Sequence, residues 1–199
     1  MKEDNKKLKI GLDFDGVIAN TINVKQKLAK KFYNVDIPSN RFKEYMVIED
    51  GLLTHEQYRK LMNNVCGNFD YGLEMKEVKD SVQVIKNIIS LGCDVCVITS
   101  REGDEVKVAE EWCKKRGLDL KFISVGYGKD KLESAKDLDI YVDDDVPKLV
   151  PLIDVVPNIF LWSNEHNKGH VEPEGVIRMD LWGEFEKKIK YILNFKNEQ

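Results

Sequence analysis

The chain has 199 residues, of which 42% are hydrophobic, and its formal net charge is -4. This length and composition allow one sizeable core with room for a small second lobe. The excess of acids, with lysines and acids mixed along the chain, argues against nucleic acid or an anionic membrane surface as a partner. The charged first residues lack the apolar core of a signal peptide, and no apolar run reaches membrane-spanning length.

The four cysteines favour free thiols over a metal site. Two of them have C-x-x-C spacing, but they lie in an apolar run predicted to be a strand, with no second such pair and no nearby histidine. We therefore expect all four to pack as small apolar side chains in a reducing, cytoplasmic setting. They are Cys66, Cys93, Cys96 and Cys113.

The predicted elements begin with an apolar strand over residues 8–12, and up to residue 78 only helices follow it. Helical spacing over 21–33 and a capping box from Thr54 to Gln57 mark two of these helices. From residue 79 onward helices and strands alternate, which is typical of an α/β fold with a Rossmann-like parallel sheet and helices on both faces. The predicted helices cover residues 79–90, 105–116, 130–138, 147–153 and 182–195, and the further strands cover 94–100, 121–125, 139–142 and 158–162.

The interrupted alternation predicts two units. Residues 1–19 and 79–199 would form the sheet domain, and residues 20–78 would form a small helical cap inserted after the first strand.

Polar side chains stand where three of the predicted strands end. The carboxyl ends of parallel strands meet at one edge of a sheet, which is where open α/β sheets bind ligands. Acids at this place add nothing to a core and cost free energy if they are buried without partners. The sequence therefore predicts a ligand site built from Asp13 and Asp15, from Thr99 and Ser100, and from Asp143 and Asp144.

This set of groups suits phosphate chemistry. A phosphate monoester is a dianion that carboxylates repel, so several acids need a hard cation such as Mg²⁺ between them and the substrate. The hydroxyl of Thr99 and the ammonium of Lys131 can hold other phosphoryl oxygens. One aspartate can attack phosphorus, and a second aspartate two residues later can act as acid and base.

In chain order, Asp13-Phe-Asp15-Gly-Val, Val97-Ile-Thr99-Ser, Lys131 and Asp143-Asp144 resemble the four motifs of the haloacid dehalogenase-like (HAD) phosphohydrolases. The resemblance implies an aspartyl-phosphate intermediate and a cap at the position of the helical insert. It implies these roles: Asp13 as nucleophile, Asp15 as general acid and base, Mg²⁺ ligands from Asp13, the Asp15 carbonyl and Asp143 or Asp144, and phosphate binding by Thr99, Ser100 and Lys131.

Further features are similar to the 5'(3')-deoxyribonucleotidases and their bacterial and phage relatives. These are the Asp-Gly-Val-Ile-Ala run, the Thr-Ser tandem, the strand and His-Asn loop over 159–167, and a closing helix with Trp182. Arg101 departs from that branch, which tends to carry proline there. The resemblance implies a 5'-nucleotidase for nucleoside or deoxynucleoside monophosphates, with Phe42, Tyr45 and Arg101 as candidate substrate contacts.

Several choices stay open at this point. Either Lys129 or Lys131 can be the phosphate-binding lysine, and Lys131 is favoured. Either Asp143 or Asp144 can ligate the metal directly, and the resemblance favours Asp144. Asp145 suits the N-cap of the helix at 147–153. His166 and Asn167 can be plain loop residues, and the cap aromatics can be packing residues.

Two alternative functions are retained. One is a HAD phosphatase or phosphomutase acting on another small phosphorylated metabolite. The other is a receiver-like phosphoacceptor domain, which also combines clustered acids, a hydroxyl, a lysine and Mg²⁺. Receiver domains place the acid pair first and the lysine last, whereas Lys131 here precedes Asp143 and Asp144.

Overall fold

The computed structural model describes residues 7–197 of the chain, with side chains as far as residue 195. Six parallel strands form one sheet, in the order β5-β4-β1-β6-β7-β8, and β2 and β3 form a separate antiparallel pair. The strands are β1 (Lys9–Leu12), β2 (Ala19–Asn20), β3 (Lys76–Glu77), β4 (Asp94–Thr99), β5 (Lys121–Ser124), β6 (Ile140–Asp143), β7 (Asn158–Trp162) and β8 (Val176–Met179).

The helices fall into two groups, four of them between β2 and β3 and the others after β3. Short 3₁₀ turns also occur at Ser39–Arg41 and Val150–Leu152. The helices are α1 (Ile22–Tyr33), α2 (Glu44–Glu49), α3 (His55–Gly67), α4 (Phe69–Gly72), α5 (Ser81–Ser90), α6 (Asp104–Lys115), α7 (Leu132–Ala135), α8 (Val146–Leu149) and α9 (Trp182–Asn197).

The sheet is apolar on both faces, as expected for parallel strands that helices cover on each side. Leu12 and Val97 belong to a large buried cluster that includes residues of α5, α6 and α9. Ile98 and Tyr141 belong to a second buried cluster with residues of α7 and α8. This confirms the predicted α/β, Rossmann-like parallel sheet with helices on both faces.

The paired strands β2 and β3 join the segment of helices between them to the rest of the chain. Ala19 pairs with Glu77 and Asn20 with Lys76, so the chain leaves and returns at neighbouring points. The capping box that opens α3 is formed by Thr54 Oγ1, which accepts from Gln57 N at 3.2 Å, and by Thr54 N, which donates to Gln57 Oε1 at 2.9 Å. Helix α3 packs against α1 and α6. The limits of residues 20–78 as a cap remain a prediction.

One predicted helix is shorter in the structure, and three strands were not predicted: β8, and the two-residue strands β2 and β3, which lie in the stretch predicted to hold only helices. The helix predicted over 130–138 is only the four residues of α7, because Lys131 has a non-helical backbone before α7 and Lys9 N is held by the Asp139 carboxylate after it, at 2.8 Å. The strand β8 was not predicted, since its four residues include an exposed isoleucine and an arginine and give no clear apolar run. No helix within residues 7–197 is both long enough and apolar enough to cross a membrane.

Candidate active site

The sheet brings the predicted polar groups to one edge. Asp13 follows the central strand β1, which pairs with β4 on one side and β6 on the other, and Asp13 N extends that pairing by donating to Val142 O at 2.8 Å. A cavity of about 1340 Å³ lies over this edge. Of the residues predicted to form the site, eight line the cavity: Asp13, Asp15, Phe42, Tyr45, Thr99, Ser100, Arg101 and Asp144.

Lys131 lies beneath the cavity, in the buried base of the site. Its Nζ donates to Asp13 Oδ1 at 2.6 Å, Asp143 Oδ2 at 2.8 Å, Tyr141 Oη at 2.7 Å and Ile98 O at 2.8 Å. An ammonium has three hydrogens, so four acceptors saturate it. The structure therefore places Lys131 against the predicted nucleophile, whereas Lys129 is exposed.

The two carboxylates on Lys131 differ in their electrostatics. Burial raises the pKa of Asp13 to about 6, even though the Lys131 ammonium acts in the opposite direction. Burial also acts to raise the pKa of Asp143, but Lys131, Lys148 and two hydrogen bonds outweigh it and the pKa is lowered. A divalent cation beside Asp13 would favour its carboxylate form, which is the form that can attack phosphorus.

The structure distinguishes Asp143 from Asp144. Asp143 has both oxygens occupied, Oδ2 by Lys131 and Tyr141 and Oδ1 by Asp145 N at 3.0 Å. Asp144 lines the cavity, and of its two oxygens Oδ2 accepts from Asn164 Nδ2 at 2.8 Å. The geometry thus presents Asp144 rather than Asp143 to the cavity, and direct ligation of a metal ion by Asp144 remains a prediction.

The acids at this edge can hold a metal ion. Asp13, Asp143 and Asp144 each offer an oxygen, and these oxygens lie within 4.8 Å of one another. Within the described residues, no hydrogen bond is donated to Asp13 Oδ2 or Asp144 Oδ1. Hard carboxylate oxygens that face a cavity fit Mg²⁺, which takes one or two protein carboxylates together with water or phosphate.

Asp15 is held by a buried arginine. Arg101 donates from Nε to Asp15 Oδ2 at 2.8 Å and from Nη2 to Asp15 Oδ1 at 2.7 Å. Its remaining donors reach the carbonyls of Cys66 and Glu105 and the Met75 sulfur. Burial acts to raise the pKa of Asp15, but the charge and hydrogen bonds of Arg101 outweigh it and the pKa is lowered. The predicted contact of Arg101 with substrate remains a prediction, and its partner Asp15 was not foreseen.

The loop after β7 supports Asp144. Asn164 Nδ2 bridges Asp144 Oδ2 and Gly16 O, which is 3.0 Å away. Asn167 Nδ2 donates to Asp144 O at 2.8 Å, and His166 Nε2 lies 3.1 Å from the same oxygen. The sequence analysis had left His166 and Asn167 open and missed Asn164, although a polar run directly after a strand was the available signal. Asp145 precedes α8 as predicted, but its side chain makes no capping hydrogen bond.

Replacing Gly16 by alanine is expected to displace Asp144. Gly16 has φ +84°, and an added Cβ would lie 2.3 Å from Asp144 Oδ2 and 2.8 Å from Asn164 Nδ2. Gly51 has φ +65° with no atom within 4 Å of its added Cβ, so Gly51→Ala is a matched control. Each variant should lose about 1–2 kcal/mol of unfolding free energy from the left-handed backbone. Only Gly16→Ala should also weaken Mg²⁺ binding measured by calorimetry, and equal metal binding in both variants would contradict the role of this contact.

Comparison with known proteins finds solved structures with a similar fold. No protein-family model and no curated protein matches the sequence. A haloacid dehalogenase-like family hydrolase from Xanthomonas campestris aligns over 97% of this chain and 99% of its own, with TM-score 0.56 and 10% identity. The chain has the haloacid dehalogenase-like fold.

Two further structures agree with this HAD-like fold. A predicted phosphatase from Clostridium acetobutylicum has a TM-score of 0.64 at 16% identity, covering 93% of this chain and 99% of its own. A predicted phosphoglycolate phosphatase from Haemophilus somnus has a TM-score of 0.62 at 12% identity, covering 94% and 99%. At these identities the likeness establishes the fold, and activity has to be argued from the site.

Proposed function

We propose that this HAD-like chain is a Mg²⁺-dependent phosphomonoesterase that acts on nucleoside or deoxynucleoside monophosphates through an aspartyl-phosphate at Asp13. One observation carries the proposal. Lys131 Nζ fixes one carboxylate oxygen of Asp13 at 2.6 Å, and Asp13 and Asp144 both line the cavity. A fixed carboxylate that faces a metal-binding group in a ligand-sized cavity is the arrangement that nucleophilic phosphoryl transfer needs.

In the first step, a carboxylate oxygen of Asp13 forms a bond to phosphorus while the bond from phosphorus to the ester oxygen breaks. The leaving oxygen takes a proton, which Asp15 would deliver in its carboxylic acid form; the pair with Arg101 disfavours that form but makes it a stronger acid. Thr99 and Ser100 line the cavity next to this point and would donate hydrogen bonds to phosphoryl oxygens. Lys131 keeps Asp13 in place through the step.

In the second step, a water oxygen bonds to phosphorus and the acyl-phosphate bond to Asp13 breaks. Asp15 takes the proton from that water, so Asp13 is restored as a carboxylate and phosphate is released. The bidentate pair with Arg101 favours ionised Asp15, which is the form that accepts the proton. Asp13 and Asp144 would hold Mg²⁺, which supplies positive charge to the phosphoryl oxygens when it is bound.

The choice of substrate rests on the cavity. A volume of about 1340 Å³ accommodates a nucleoside monophosphate, and aromatic residues of the helical segment, Phe42, Tyr45 and Tyr58, line it. Tyr45 is exposed and can stack on a base, whereas Phe42 is buried. The alternative is another small phosphorylated metabolite, which the likeness to a predicted phosphoglycolate phosphatase favours.

Hydrolysis of a substrate panel by the purified protein tests the proposal. The panel pairs 5'- with 3'-nucleotides and ribo- with deoxynucleotides, and it adds sugar phosphates, phosphoglycolate and an aryl phosphate. We expect release of phosphate that stops on chelation and returns with Mg²⁺, with kcat/KM highest for a nucleotide. Activity that survives chelation would contradict the dependence on Mg²⁺. A higher kcat/KM on phosphates that carry no base would favour another small phosphorylated metabolite as the substrate.

A further inference from the structure

Two lysines of the cavity keep their ammonium groups free of close acceptors in the part of the chain that the structure describes. Lys25 on α1 and Lys148 on α8 both line the cavity and are partly buried. Within the described residues, neither Nζ donates a hydrogen bond or lies within 4.0 Å of a carboxylate oxygen. The nearest aromatic contact is that of Lys25 Nζ, which stands 5.9 Å from the centre of the Phe42 ring.

Three other cations of the site already have acceptors, and a fourth cavity residue, Arg59, is exposed on α3. The ammonium of Lys131 is saturated by four acceptors and has no exposed side-chain surface. Arg101 uses its donors on Asp15 and on groups of the neighbouring segments. Lys43 has a loose ion pair with Asp145, at 3.8 Å. An incoming phosphate therefore finds free N–H donors on Lys25 and Lys148.

Both free ammonium groups lie near the reactive carboxylates. Burial acts to lower the pKa of Lys148, but the charges of Asp13, Asp143 and Asp144 outweigh it and raise that pKa. The pKa of Lys25 is lowered by burial, against the attraction of Asp15. Both lysines line the same cavity as Asp13 and Asp15, one from the helix after β6 and the other from the first helix of the helical segment.

A partly buried ammonium that makes no hydrogen bond keeps its N–H donors free for a ligand. An anionic ligand accepts from these donors, and charge-assisted hydrogen bonds to phosphate oxygens are among the strongest that a protein makes. Lysine suits this task because its compact charge and three rotatable donors adapt to a phosphate that changes shape during transfer.

We propose that Lys148 and Lys25 bind the phosphate group of the substrate, while Lys131 positions Asp13. The ligand class is a phosphate dianion, and its binding would join α1 of the helical segment to α8 beside the sheet. The proposal rests on the proposed function for the identity of the ligand. It assigns phosphate binding to two residues that neither the motifs nor the spacing of the sequence singled out.

Calorimetric binding of inorganic phosphate, measured with Mg²⁺ present, tests the assignment without relying on turnover. Lys148→Met and Lys25→Met should each raise the phosphate Kd about tenfold or more, the effect of losing one charge-assisted hydrogen bond. Lys148→Arg should restore binding to within a few-fold. Lys27→Met is the matched control, since Lys27 lies on the same helix as Lys25, is exposed and pairs with Glu74.

The unfolding free energy separates binding from structural support. Neither Lys25→Met nor Lys148→Met removes a hydrogen bond or a close ion pair of the described residues, although Lys148→Met removes the attraction between Lys148 and the buried aspartates. The stability of each ligand-free variant is therefore the reference, and the stabilisation that phosphate adds to it should fall in both variants. The assignment would be overturned by an unchanged phosphate Kd in both variants, or by wild-type protein that does not bind phosphate. If wild-type protein binds phosphate and both variants bind it more weakly, but no ester is hydrolysed, the assignment stands and the proposed phosphomonoesterase function fails.

Discussion

Asp13→Asn should abolish phosphate release, lowering kcat by at least about 10³-fold, because the amide cannot attack phosphorus and only binding and electrostatic contributions remain. The change keeps the size of a side chain that is only 3% exposed, so the fold should persist. Steady-state phosphate release on the best substrate of the panel measures the effect. Substrate affinity of the variant can then be measured directly, since the bound ester is not consumed.

Asp50→Asn is the control for this experiment. Asp50 pairs with Arg41 on the exposed surface and does not line the cavity, so its variant should keep wild-type kcat. Circular dichroism and thermal unfolding establish that both variants are folded. Retention of more than about a tenth of the wild-type kcat by folded Asp13→Asn would contradict nucleophilic catalysis by Asp13.

Lys131→Met should be the most destabilising single change at the site. It would leave Asp13 and Asp143 buried next to each other without their shared cation, and breaking a buried ion pair from one side costs about 3–5 kcal/mol. Urea unfolding measures the loss. Lys129→Met, an exposed change two residues earlier, should stay within about 0.5 kcal/mol of wild type.

The loss caused by Lys131→Met should depend on pH. Burial already raises the pKa of Asp13 to about 6, and removal of the ammonium raises it further. A folded-state pKa above the unfolded value means that the folded form binds the proton more tightly, so stability rises as pH falls through the folded pKa. The deficit should therefore be larger at pH 8 than at pH 5, and a deficit that grows toward low pH would contradict this account of the buried pair.

The sheet and its acidic edge could be predicted from the sequence because both follow from local patterns. Strands such as β4 are short apolar runs that end in polar residues, and parallel pairing carries those ends to one edge whatever the details of the loops. Asp13, Thr99 and Asp144 were found in this way. The edge strand β8 was not, since half of its side chains are partly exposed and its pattern is weak.

The supporting contacts could not be predicted because they join residues far apart in the chain. Arg101 and Asp15 are 86 residues apart, and Asn164 and Gly16 are 148 residues apart. Neither spacing has a periodic signal, and each contact depends on how a loop packs against a neighbouring strand end. The same holds for Lys25 and Lys148, whose roles are visible only once it is known which lysines already have partners.

Chemical trapping of the enzyme during turnover tests the central claim most directly. Acid quenching during turnover, followed by borohydride reduction, converts an aspartyl-phosphate to homoserine, and peptide mass spectrometry then locates the modified residue. We predict homoserine at Asp13, formed only with substrate and Mg²⁺ and absent from the Asp13→Asn variant. Efficient hydrolysis with no modification at Asp13, or with the modification at another acid of the site, would contradict the account.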